Sequence, residues 1–99
     1  MTFRFLSPAE SDLTQAMDYY DRASPGLGLE FLNEVERTVQ RILLNPEDWT
    51  EVSAHSRTCR TRRFPYGVFY SIQEGEVVIL GVMDLRRHRA SWRTRIERS

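Results

Sequence analysis

Two arginine clusters dominate the side chains of this chain that are capable of chemistry. Arg57, Arg60, Arg62 and Arg63 lie in one short segment, and Arg86, Arg87, His88, Arg89, Arg93, Arg95 and Arg98 lie near the C-terminus. Guanidinium groups fork onto phosphate or carboxylate, and rings accompany both clusters, Phe64 and Tyr66 after the first and Trp92 within the second. A nucleic-acid surface and an acidic-protein surface are served equally by such a pattern. The plainer alternatives are a solvated sheet face whose charges deter edge pairing, for the first cluster, and a solvated terminus for the second. His88 is the one residue there whose type exchanges a proton near neutral pH. It is either an exposed loop histidine or a proton carrier, with Arg86 or Arg87 stabilising a pentavalent phosphate.

The charge is divided along the chain. Residues 1 to 54 hold ten acids against four arginines, and residues 55 to 99 hold ten arginines against four acids, so the net charge is zero. Every basic residue is Arg and none is Lys, a bias that a GC-rich genome produces without functional demand. Cys59 is the single cysteine and only His55 and His88 accompany it, so the expectation is no disulfide, no structural metal and an inert strand thiol. No Gly-rich phosphate loop or activated nucleophile pair is present, and no cofactor is expected. Tyr19, Tyr20, Tyr66, Tyr70 and Trp92 read as core or rim residues. The first residues carry no apolar run of signal length and nothing approaches the roughly 20 apolar residues that cross a bilayer; the expectation is a cytoplasmic protein with no membrane partner.

The elements that must hold these side chains follow from periodicity. Thr2 to Leu6 alternates as a short strand with Phe3 and Phe5 on one face. Ser7-Pro8-Ala9-Glu10 predicts a helix start with Ser7 as N-cap and Pro8 in the first turn. Leu13, Ala16, Met17 and Tyr20 then form one apolar stripe, ending near Ala23. A second helix is predicted over residues 27 to 44, with Phe31, Val35, Val39 and Ile42 inward, stopped by Asn45-Pro46. Arg57 to Phe64 reads as an Arg-rich strand, Val68 to Ile72 as the next, and Glu74-Gly75 as a hairpin turn. Val77 to Met83 is apolar throughout and suits a strand buried on both faces. The basic tail beyond Asp84 is expected to hold one or two helical turns from Ser91.

About 100 residues suffice for one core burying roughly 60 to 70 % of the unfolded surface, so residues 1–99 are read as one domain. The predicted fold is α+β: an N-terminal strand, then a two-helix hairpin packed on a largely antiparallel four-stranded sheet, then a short basic C-terminal tail or helix. The two basic segments can then meet on the uncovered side of that sheet.

Several segments in this order resemble the RelE/ParE superfamily of toxins from type II toxin–antitoxin modules. They are A-E-S-D-L (Ala9 to Leu13), Tyr19-Tyr20, L-G-L-E-F (Leu27 to Phe31), Asn45-Pro46, R-R-F-P-Y-G-V-F-Y (Arg62 to Tyr70) and V-V-I-L-G-V-M-D-L-R-R-H-R-A-S-W (Val77 to Trp92). The resemblance spans essentially the whole chain and implies the same helical hairpin on an antiparallel sheet. It further implies a growth-inhibiting, plasmid-stabilising toxin neutralised by a cognate antitoxin, whose C-terminal segment wraps the domain. The superfamily divides into DNA gyrase inhibitors of ParE type and ribosome-dependent mRNA endonucleases (mRNA interferases) of RelE type.

As a nuclease, the chain would use Arg62 and Arg87 on phosphate and His88 as proton carrier, with the RNA 2′-hydroxyl as nucleophile. As a binder, it would meet antitoxin or target through Arg60, Arg62, Arg63, Tyr66, Arg86, Arg87, Arg89, Trp92 and Arg93. Gly67 stands where RelE-like enzymes carry a catalytic Arg, and His88 and Trp92 where they end with Tyr or His-Tyr, so the expectation leans to gyrase inhibition. No small-molecule substrate is implied. A non-toxic protein-binding domain is the third reading.

Overall fold

The computed structural model describes residues 1–87 and 89–98 and shows eight elements in the order β1 (Thr2–Phe5), α1 (Ser7–Ala23), α2 (Leu27–Leu44), β2 (Thr50–Ser53), β3 (Ser56–Arg60), β4 (Tyr66–Gln73), β5 (Glu76–Asp84) and α3 (Arg89–Glu97). The five strands form one sheet ordered β1-β5-β4-β3-β2. β1 runs parallel to β5, with Thr2 opposite Glu76 and Phe5 opposite Ile79, and the other neighbours are antiparallel. The α+β class and the largely antiparallel sheet are as expected. The strand count is not: β2 makes five strands rather than four. Its T-E-V-S sequence is short and mostly polar, with Thr50 and Glu51 exposed, so it carries no apolar alternation, and it reverses into β3 through Ala54-His55, which is not a characteristic turn pair.

The start of α1 also departs from expectation. Ser7 lies inside the helix and Leu6 is the N-cap, with no side-chain cap. The Leu6 N–H donates to the Ile79 carbonyl at 3.0 Å, and its own carbonyl accepts from Ala9 (2.9 Å) and Glu10 (3.0 Å). The strand is therefore held to its last residue, and the chain turns into the helix with no room for a separate Ser cap. Both helices lie on one face of the sheet. Ala9, Ala16, Phe31, Val35, Val39 and Ile42 pack there against Val68, Tyr70, Val77, Ile79 and Val82, while Leu13, Met17 and Tyr20 are partly buried at the margin.

β5 changes which residues face that core. Phe69 opposes Gly81 and Tyr70 opposes Ile79, so Leu80 is an extra residue in the ladder, a β-bulge. Before it, odd-numbered Val77 and Ile79 face the helical hairpin; after it, Val82 does. Val78, Leu80 and Met83 face the other way, into a second cluster with Phe69, Trp92 and Ile96. α3 thus covers the face that the sequence left open. It is longer than the one or two turns expected, and Ile96 is only 6 % exposed. The tail is a docked helix rather than a solvated terminus.

The Arg-rich strand ends earlier than its composition suggests. β3 stops at Arg60, and residues 61–65 form a loop. Thr61 turns it: its N–H donates to the Tyr66 carbonyl at 2.9 Å and its hydroxyl to the Phe64 carbonyl at 2.5 Å. The buried carboxylate of Glu34 accepts the N–H groups of both Arg62 and Arg63. Those two N–H groups are spent on a helix side chain and leave no ladder to continue.

Candidate functional site

The two arginine segments meet at one end of the sheet. The Leu85 N–H donates to the Pro65 carbonyl at 2.8 Å, which joins the β3–β4 loop to the segment leaving β5. Tyr66 opposes Asp84 in the ladder beside this junction. Beneath lies an aromatic group from α1, α2, the loop and β4: Tyr20 and Phe64 have centroids 4.8 Å apart, Phe31 and Tyr66 4.8 Å, and Phe31 and Phe64 5.1 Å, all edge-on. Burial raises the phenol pKa values of Tyr20 and Tyr66, so both carry intact O–H donors at neutral pH. Arg86 partly offsets that rise at both rings, and Arg87 does so at Tyr66.

Within the junction the arginines are not equivalent. Arg63 pairs with Glu30 at 2.9 Å and lies 5.2 Å above the Phe64 ring centroid. Arg86 grips Asp84 with two nitrogens at 2.8 and 3.1 Å, and that hydrogen-bonded pairing holds the Asp84 carboxyl below the usual carboxylate range. Arg93, on α3, reaches Glu97 at 3.4 Å. By contrast, among the described residues no carboxylate lies within ion-pair distance of the exposed Arg62 or Arg87 guanidinium. The same holds for Arg60, but its side chain alternates with the buried Cys59 and points to the opposite sheet face. Cys59 itself is buried in the helical core and burial pushes its thiol up, as an inert strand residue requires.

A cleft of about 490 Å³ opens beside the junction, between α1 and α3, with Val82, Met83 and Asp84 of β5 as its floor. Its α1 wall consists of Asp12, Gln15, Ala16 and Tyr19, spaced i, i+3, i+4 and i+7 along one helix face. Its α3 wall includes Ser91 and Trp92, the latter tilted against Phe69 with ring centroids 5.1 Å apart, and Arg87 also lines it. β1 ends at Phe5, so this stretch of β5, paired with β4 on one side, has no neighbouring strand on the other.

The family model described as "ParE toxin of type II toxin-antitoxin system, parDE" matches residues 3–92. The chain belongs to the ParE toxin family. Among solved structures, one titled "Chromosomal ParDE TA system from P. aeruginosa" is similar to this ParE-family chain with a TM-score of 0.76 and 19 % identity, over 86 % of this chain and 96 % of that one. That likeness shows a shared fold. No curated protein matches the chain.

Of the residues singled out from sequence, the ParE-family fold brings Arg62, Arg63, Tyr66, Arg86 and Arg87 to one end of the sheet and sets Trp92 in the adjoining cleft. It puts Arg60 on the α3 face and Arg93 on the exposed side of α3. His88 and the side chain of Arg89 lie outside the described residues. Two further residues, Glu34 and Asp12, order this region without any signal in their own segments, and Arg95, read from sequence only as one of the tail arginines, orders it with them. Asp12 and Arg95 are 83 positions apart, and Glu34 is 28 from Arg62. Only the charge imbalance between the chain's halves hinted that acids from one would be paired with arginines of the other.

Proposed function

We propose that this ParE-family toxin acts by binding rather than by catalysis, with DNA gyrase as its target, and that a cognate antitoxin silences it by covering the same end of the sheet. One observation carries the reading: two loops distant in sequence are tied together at 2.8 Å and present Arg62 and Arg87 with no carboxylate partner among the described residues. Guanidinium groups left unpaired on a folded surface are suited to an anionic or acidic counterpart. The adjoining cleft, where Tyr19, Tyr66 and Trp92 stand among charged and polar side chains, supports seating of an extended antitoxin segment beside them. Among the described residues no helix is long and apolar enough to cross a membrane, in keeping with a cytoplasmic site of action.

Gly67 argues against the nuclease reading. A Cβ there would stand 2.6 Å from the Thr58 hydroxyl and 3.0 Å from Leu85, so a side chain at this position, where the resemblance sets a catalytic Arg in RelE-like enzymes, would have to displace its neighbours. The test is controlled expression with separate readouts. Supercoiling by gyrase should fall and the DNA-damage response should rise while transcripts on translating ribosomes stay whole. Normal supercoiling with cut mRNA would replace this reading by the endonuclease one, and unaffected growth would leave a non-toxic binding domain.

A further inference from the structure

Glu34 is 3 % exposed, and a carboxylate that deep in a fold persists only when its oxygens are occupied. One oxygen accepts the Arg62 N–H and, at 3.3 Å, the Arg63 N–H; the other lies 3.6 Å from Arg37. Glu30 sits one helical turn earlier on the same face of α2 and takes the Arg63 guanidinium. α2 therefore sorts two adjacent arginines. Glu34 fixes their backbone, Glu30 neutralises Arg63, and of the two Arg62 alone projects without a carboxylate among the described residues.

We propose that Glu34 is a positioning residue that presents Arg62 to an acidic polypeptide, and that Arg62, not its neighbour Arg63, is the anion contact of this loop. The proposal rests on the reading that the joined loops bind an acidic protein partner. A free backbone at 62 and 63 would let Arg62 sample many directions, and the entropy of ordering it would then oppose each contact. Held by Glu34, the backbone part of that ordering is complete before the partner arrives.

The experiment uses the full chain separated from its complex, with poly-L-glutamate as the acidic probe and a short DNA duplex as the comparison. Amide exchange is followed at Arg62 and Arg63, and probe affinity is titrated at several salt concentrations. Glu34→Ala should speed exchange at both amides by about tenfold or more, and should lower the salt slope of poly-L-glutamate binding by about one, as loss of one ion contact does. Arg62→Ala should lower the slope equally, and the double variant no further. Glu34→Gln, which keeps a carbonyl acceptor for both N–H groups, should restore protection and slope, and Arg63→Ala should leave the slope unchanged. Faster exchange in Glu34→Ala with an unaltered slope would overturn the positioning role alone. An unaltered slope in Arg62→Ala would overturn the surface reading and the proposal with it, and so would binding confined to the DNA duplex.

Discussion

Asp12 and Arg95, at opposite ends of the chain, form a two-pronged ion pair at 2.9 and 2.6 Å that finishes the unpaired edge of β5. The same Asp12 carboxylate accepts the Val82 N–H at 2.9 Å, and Arg95 donates to the Leu80 carbonyl at 3.1 Å. The two side chains take the place of a neighbouring strand where β1 has ended, and they tie α3 to α1 across the cleft. Gly81 makes the space: a Cβ on it would meet Arg95 at 2.8 Å. Asp12→Ala should cost about 2 kcal/mol, because the Val82 N–H loses its acceptor and Arg95 its counter-ion, while Asp12→Asn should cost less. Urea unfolding measures both. Gly81→Ala should be destabilising in the wild type and milder in an Arg95→Ala background, and equal effects in the two backgrounds would show that the glycine serves something other than the pair.

Gly67 offers a second steric test. Its missing side chain is replaced by the Thr58 hydroxyl, the Leu85 methyl at 3.0 Å and the Phe69 ring at 3.3 Å. Gly67→Ala should therefore destabilise by about 1 to 3 kcal/mol through overpacking. Thr58→Ala removes the nearest atom, so the double variant should recover part of that loss in a denaturation midpoint. A fully tolerated Gly67→Ala would reopen the position to side chains and weaken the steric case against catalysis.

Local signals carried most of the elements. The apolar stripe of α1, the interval from Leu27 to Leu44 for α2 and the unbroken run from Val77 to Met83 each report burial directly, and each sits where it was read. β2 left no such signal because an exposed four-residue edge strand owes its order to β3 rather than to its own residues. The end of β3 was misplaced for a related reason. Arg62 and Arg63 have strand-like neighbours, but a buried carboxylate from α2 takes their N–H groups, and sequence proximity says nothing about Glu34. The arginine clusters themselves were conspicuous; which members are neutralised depends on Glu30, Asp84 and Glu97, and only three-dimensional placement separates Arg63 from Arg62.

The pH dependence should show two separate edges. Asp84 has its folded pKa lowered, chiefly by the Arg86 hydrogen bonds, from an ordinary 3.8. Its contribution is thus complete above that value and is lost as pH falls through the lower folded one. Asp84→Asn should flatten the acid limb of a stability profile. Tyr70 behaves oppositely: buried, with its hydroxyl donating to the Pro46 carbonyl at 2.5 Å, it is pushed up to about 12 from 10.0. The raised value favours the fold fully below pH 10, and that stabilisation disappears as pH rises through about 12. Tyr70→Phe should cost about 1 kcal/mol at neutral pH from the orphaned carbonyl and should reduce the alkaline loss. Unchanged profiles in both variants would mean that other groups set the two limbs.

α3 protects the second face of the sheet with two side chains. Trp92 packs at a tilt against Phe69 and Ile96 closes over Val78 and Leu80, whereas the rest of the helix is polar and largely exposed. The helix has too few residues to persist alone, so its order depends on these contacts and on the Arg95 pair. Ile96→Ala should cost about 2 kcal/mol and Trp92→Ala about 3 kcal/mol, near the lower end for core truncations because Trp92 is only half-buried. Together they should release α3, raise binding of an apolar dye to the bared Phe69 face and speed exchange of amides in residues 89–97, while the aromatic group around Tyr20 and Phe31 keeps its near-ultraviolet signature. Loss of that signature at the same denaturant concentration as α3 would show instead that both faces of the sheet unfold as one unit.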